Sequence, residues 1–313
     1  MTSRPAASVI VALNPHDNDP ARVFDAYLRQ TARLESFEVV VVNGGARDMA
    51  AQAFAKHRRA FPATPVRLIE IEKRGRSAAN NAGARAAQAD LLLFVADDFI
   101  PSATLVRAHI EFHRNLAGAT AVGIGPAFFV DELRDDPFRC WLEDSGRLFA
   151  VPFRFAEPNW PTSFFYAGNA SLRRELFDSL GGFDEMFRYD LGDDFAFGLR
   201  LRRAGVRSHF LPKAVAWHDH ALTLAERIEA SRRSGEAARY TTELHGPVPE
   251  WEAIIAQPLA DIVASVRRAE ERERVASTPD TRAGRYQALL DLAFAQGYHG
   301  SAGEPGREFS PVE

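Results

Sequence analysis

Leu91-Leu92-Leu93-Phe94-Val95-Ala96-Asp97-Asp98 runs five large apolar residues, through Ala96, into a pair of carboxylates. An unbroken apolar run of that length reads as a strand covered on both faces, the kind found in parallel sheets. Asp97 and Asp98 then stand at its carboxyl end, where open α/β sheets bind ligands. Adjacent carboxylates repel, so an ionised pair calls for a cation or a hydrogen-bonding ligand. Oxygen ligands on a strand end suit Mg2+ or Mn2+ bridging a diphosphate. A solvated turn before Pro101 is the plainer reading of the same residues.

The surroundings repeat the strand–helix rhythm. Residues 8–13 and 38–42 are further apolar strands, the second ended by Asn43-Gly44-Gly45. Asp19-Pro20 starts a helix, residues 66–71 form a third strand, and residues 77–89 form an alanine-rich helix. Pro101 is expected to open the next helix, and residues 119–124 to form a fifth strand. Strands alternating with helices imply a mainly parallel sheet with helices on both faces. Asn14, Asn43 and Asp97-Asp98 gather at its carboxyl edge. After His220 the pattern is helical only, and residues 300–313 are a Gly/Pro/Glu-rich stretch expected to lack structure.

Composition bounds the function. The 313 residues are 46% hydrophobic, and the net charge of −4 argues against a nucleic-acid binder. The single cysteine, Cys140, excludes an intrachain disulfide framework. No apolar run approaches about 18 residues, and the N-terminus lacks a signal-peptide core. A cytoplasmic protein is expected.

Five blocks in order resemble the inverting family 2 glycosyltransferases, which have the GT-A fold. They are Gly75 to Ala84 with Asn81-Ala82-Gly83, the strand ending in Asp97-Asp98, Ala167-Gly168-Asn169 with Gly181-Gly182-Phe183-Asp184, Gly192-Asp193-Asp194 before an arginine-rich helix, and Trp217-His218-Asp219-His220. The resemblance implies a GT-A-like nucleotide-sugar-binding and catalytic domain over residues 1–220, a helical region over 221–299 and the tail 300–313. It implies Asp98, His218 and His220 as ligands of a divalent cation, Mn2+ or Mg2+. Asp194 takes the position of the general base, and Asp193 that of an acceptor-binding acid. Asn14, Asn43, Arg76, Asn81 and Asp97 fall on the nucleotide-sugar side, with Trp160 and Asn169 on the acceptor side. The implied reaction moves one sugar from a nucleotide-diphosphate sugar to an acceptor hydroxyl on a glycan, a lipid-linked molecule or a small molecule. Peripheral membrane contact and homo-oligomerisation are compatible with it.

Three positions depart from the family; the first is Val11-Ala12-Leu13-Asn14, which keeps only the asparagine of the usual strand end. Asn43-Gly44-Gly45-Ala46 replaces the usual acidic turn, which leaves uracil, thymine and guanine open as the base. Ala96 replaces the first acid of the strand-end motif. A sugar nucleotidyltransferase would need a basic glycine-rich loop after the first strand, which Asn14-Pro15-His16-Asp17-Asn18 does not supply. A degenerate nucleotide-binding scaffold is the non-enzymatic alternative.

Overall fold

The computed structural model describes residues 4–13, 21–33, 36–44, 54–55, 59, 66–72, 75–116, 120–149, 165–187 and 192–300. Asn14, Trp160 and the tail 301–313 lie outside them. The chain divides into two compact units. The first comprises residues 1–133, 142–185 and 193–220; the second comprises 134–141, 186–192 and 221–313.

The first unit is built on β1 (Ala7–Leu13), β2 (Phe37–Asn43), β3 (Val66–Glu70), β4 (Leu91–Val95), β5 (Phe99–Pro101), β6 (Ala121–Ile124), β7 (Ala127–Phe129), β8 (Asn169–Arg173), β9 (Arg207–Phe210) and β10 (Ala216–His218). Seven of these form one sheet in the order β3-β2-β1-β4-β8-β6-β9, parallel except for β8. The direction of winding reverses between β1 and β4, so their carboxyl ends open the crevice where such sheets take ligands. Every residue of β1, β2 and β4 is buried, as their uninterrupted apolar patterns require.

Helices α1 (Ala21–Leu28), α2 (Arg76–Ala86), α3 (Leu105–Asn115), α5 (Arg174–Ser179) and α6 (Asp193–Arg203) belong to this unit, and α4 (Pro137–Asp144) runs from the second unit into it. Gly83 explains how α2 lies on the sheet: a Cβ there would stand 2.4 Å from Ile10 Cγ2. Phe94 on β4 packs against Phe177 and Phe183 at 5.3 and 5.2 Å between centroids. Phe183 in turn meets Phe197 of α6 at 5.0 Å. This aromatic chain fixes α6, and the carboxylates at its start, to the strand that carries Asp97-Asp98.

Pro101 does not open a helix. It ends β5, an edge strand of a second, three-stranded sheet ordered β5-β10-β7, and α3 starts later, at Leu105. An edge strand tolerates a residue that lacks an N–H donor.

Under α3 lies a fully wired polar chain. His113 Nε2 stands 2.9 Å from Ser171 Oγ, which is 2.7 Å from His109 Nδ1. His109 Nε2 is 3.0 Å from Asn169 Oδ1. An amide oxygen only accepts, so His109 carries its proton on Nε2. Ser171 then donates to His109 Nδ1 and accepts from His113 Nε2–H. Burial pushes His109 down to about 3 and His113 to about 4, so both are neutral. Unfolded, they regain protons near the ordinary 6.5. Stability from this pair is therefore complete above pH 6.5 and falls as pH drops toward 4, with a slope approaching about 2.7 kcal/mol per pH unit for two protons. Urea unfolding at pH 7, 6 and 5 reads that slope. His113→Asn is expected to remove about half of it.

The second unit is helical: α7 (Leu224–His245), α8 (Pro249–Ile255), α9 (Leu259–Val275) and α10 (Pro279–His299). Capping boxes start α7 at Thr223 with Glu226 and α10 at Thr278 with Thr281. Gly235 and Gly297 let α7 and α10 touch backbone to backbone. A Cβ on Gly297 would lie 1.8 Å from the Arg232 carbonyl oxygen, and one on Gly235 2.0 Å from that of Phe294. Among the described residues no helix is long and apolar enough to cross a membrane.

Candidate active site

The two sheets of the first unit meet just beyond β4. Asp98 follows the strand, Phe99 of β5 pairs with His218 of β10, and Asp219 N–H donates to the Asp98 carbonyl at 2.9 Å. That register carries His218 to Asp98 across 120 positions of sequence. His218 Nε2 stands 3.1 Å from Asp98 Oδ2, and His220 Nδ1 stands 3.8 Å from the same oxygen. One ligand atom from each of the three residues lies within 4.8 Å of the others. Bonds of about 2.1 Å place ligands about 3–4 Å apart around one ion, and the two imidazole distances to Asp98 Oδ2 fall in that range. One carboxylate oxygen and two imidazole nitrogens fit a divalent transition-metal ion better than the all-oxygen set that Mg2+ prefers. The rings of Phe99, Phe129 and Phe149 surround His218 at 5.3, 5.2 and 5.0 Å. They exclude water from it on those sides.

Asp193 and Asp194 open α6 but have different surroundings. Asp193 is fully buried, salt-bridged to Arg76 Nη2 at 2.6 Å and accepting from Ser77 Oγ at 2.9 Å. Asp194 keeps 18% of its side chain exposed; Oδ2 accepts from Ala167 N–H at 3.1 Å and lies 3.5 Å from Arg76. Asp194 stands in the first turn of α6, at the positive end of the helix dipole. Gly168, one residue beyond Ala167, accepts from Ala96 N–H at 3.1 Å. The stretch 166–168 thus bridges Asp194 and the Asp97-Asp98 strand end.

The sequence matches the family model described as glycosyltransferase like family 2 over residues 5–237. The chain belongs to glycosyltransferase-like family 2. Among curated relatives, the validoxylamine A glucosyltransferase of Streptomyces hygroscopicus subsp. jinggangensis is 28% identical over 208 residues, 59% of this chain and 48% of its own. The chain spans about half the length of such curated relatives. Among solved structures, the mannosyltransferase PcManGT of Pyrobaculum calidifontis, in complex with GDP-Man and Mn2+, superposes with a TM-score of 0.64 at 22% identity. That superposition covers 95% of this chain and 88% of PcManGT. TarS 1-349 of S. aureus, in complex with UDP-GlcNAc, gives 0.53 at 15% identity over 94% of this chain and 91% of that 1-349 chain. These structural likenesses establish the GT-A-type fold.

Within this family 2 chain, the residues expected at the site separate into those at the cleft and those beneath it. Asp98, His218 and His220 come together, with Asp97 beside them at the strand end. Asn43 ends β2 at the same edge of the sheet, paired in register with Leu13. Asn81 is buried and spends its amide on Phe183 and Glu185, so it ties the 183–185 turn to α2 and does not face a nucleotide. Asn169 is 0% exposed, with its amide donating to the carbonyls of Pro126 and Ala214. An acceptor does not reach it; it is a strut. Asp193 is equally closed to an acceptor, and its role is to hold Arg76. Asn14 and Trp160 lie outside the described residues. Reasoning from sequence missed Ser77, the Ala167 N–H and the phenylalanines around His218. Only the Phe99–His218 strand pairing would have exposed the last group.

Proposed function

We propose that this chain is an inverting glycosyltransferase that moves one sugar from a nucleotide-diphosphate sugar to an acceptor hydroxyl. The observation that carries the reading is the convergence of Asp98, His218 and His220 within 4.8 Å. Family membership and the fold shared with PcManGT, whose structure holds GDP-Man and Mn2+, support it. Asp98, His218 and His220 would hold the divalent cation, and when bound it neutralises charge growing on the departing diphosphate.

The remaining work falls to the chain. Asp194 accepts the proton of the acceptor hydroxyl as that oxygen attacks the anomeric carbon, and the electron pair of the breaking bond leaves with the nucleoside diphosphate. A base must stand within hydrogen-bonding reach of that hydroxyl. The Ala167 N–H and the start of α6 aim the carboxylate for this. Arg76, clamped by buried Asp193, fixes the electrostatics beside the base. Asp97 and Asn43 line the donor edge.

The test is donor turnover by the purified protein against a panel of UDP-, GDP- and dTDP-sugars, with and without Mn2+. Mn2+-dependent release of a nucleoside diphosphate from one donor class is the expected result. No release from any donor would overturn the reading.

A further inference from the structure

Tyr166 is absent from the mechanism above, yet its placement is specific. Its hydroxyl oxygen is buried and has no hydrogen-bond partner among the described residues. A buried unpaired hydroxyl costs free energy, and native structures rarely keep one without a use. The ring is nevertheless held in place. It packs 6.0 Å from the ring of Phe99, and a Cβ on Gly168 would fall 2.7–2.9 Å from its Cζ, Cε2 and hydroxyl. Only glycine lets the phenol lie there.

The position joins the two halves of the site. The next residue, Ala167, holds Asp194 through its N–H, and Gly168 holds the backbone of Ala96 just before Asp97-Asp98. Burial first, then the charges of Asp98 and Asp194, push the phenol's ionisation well above its ordinary value, against the opposing effect of Arg76. Tyr166 is therefore a fixed O–H donor between the cation side and the base side.

We propose that the Tyr166 hydroxyl is a catalytic hydrogen-bond donor to the departing diphosphate, at the oxygen that separates from the sugar. The inference rests on the glycosyltransferase reading and deepens it. As the anomeric C–O bond breaks, its electron pair collects on that oxygen, and the Tyr166 hydrogen bond strengthens while the proton stays on tyrosine. A donor aimed at charge that develops during reaction accelerates the step more than it tightens binding.

Tyr166→Phe removes the oxygen and keeps the ring against Phe99 and Gly168. With the donor that the wild type turns over, kcat is expected to fall about 10²-fold, the lower range for loss of one such donor. Donor KM should move by less than about threefold, since the contact forms chiefly in the transition state. Calorimetry with the nucleoside diphosphate and Mn2+ should show near wild-type binding, and Tm should be unchanged or higher. Wild-type kcat in the variant, or a raised KM at unchanged kcat, would overturn the proposal. So would a Tm lowered in step with activity, because that marks a packing role. An inactive wild type would instead condemn the glycosyltransferase reading itself, and this inference with it.

Discussion

Asp194→Asn is expected to fold, to bind the donor, and to transfer sugar about 10²–10⁴-fold more slowly, the range for a positioned general base. The amide keeps an oxygen that can accept from Ala167 N–H, so the local geometry survives. What it loses is basicity. Asp193→Asn acts differently: it strips Arg76 of the nearer of its two carboxylates, the fully buried one at 2.6 Å, and leaves Asp194 at 3.5 Å. Breaking a buried pair from one side is strongly destabilising, by about 3–5 kcal/mol. Thermal melts and single-turnover rates on both variants separate the two acids. An active Asp194→Asn would remove Asp194 as the base.

Asp98→Ala should erase the Mn2+-dependent part of donor binding, by more than the 10–100-fold that loss of a merely outer partner of a metal costs. Asp98 Oδ2 is the atom that both imidazoles face, at 3.1 and 3.8 Å, so its removal takes away the shared vertex of the cluster. Calorimetry of the donor with and without Mn2+ reads the effect directly. Binding that stays Mn2+-dependent in Asp98→Ala would place the cation elsewhere.

The parallel core was legible because its signals are local. Five apolar residues before Asp97 need no partner to be recognised, and neither do the apolar runs that became β1 and β2. The small sheet was not legible. Its strands β5, β7 and β10 have three residues each, too few to show a period, and their pairing depends on segments about 90–120 positions apart. Pro101 was misread for that reason: beside a helix it looks like a helix start, and only the pairing with Ala216 shows an edge strand. Side-chain roles failed in another way. Asn81, Asn169 and Asp193 sit in blocks rich in ligand-type residues, and sequence alone cannot tell a polar group facing a cleft from one satisfied inside the protein. Burial separates Asp193 from Asp194, and that depends on where Arg76 and Ser77 are folded.

The glycine contacts between α7 and α10 set a depth gauge for the helical unit. Slide α10 by one turn, about 5.4 Å, and the methyl of Ala293 arrives where Gly297 had let the Arg232 carbonyl approach. Slide α7 instead, and Ser231 or Arg239 meets the carbonyl of Phe294. Every neighbouring register thus collides with backbone, which cannot turn aside as a side chain can. Two long helices that could otherwise trade one setting for the next are left with a single docking position, chosen by the absence of two side chains.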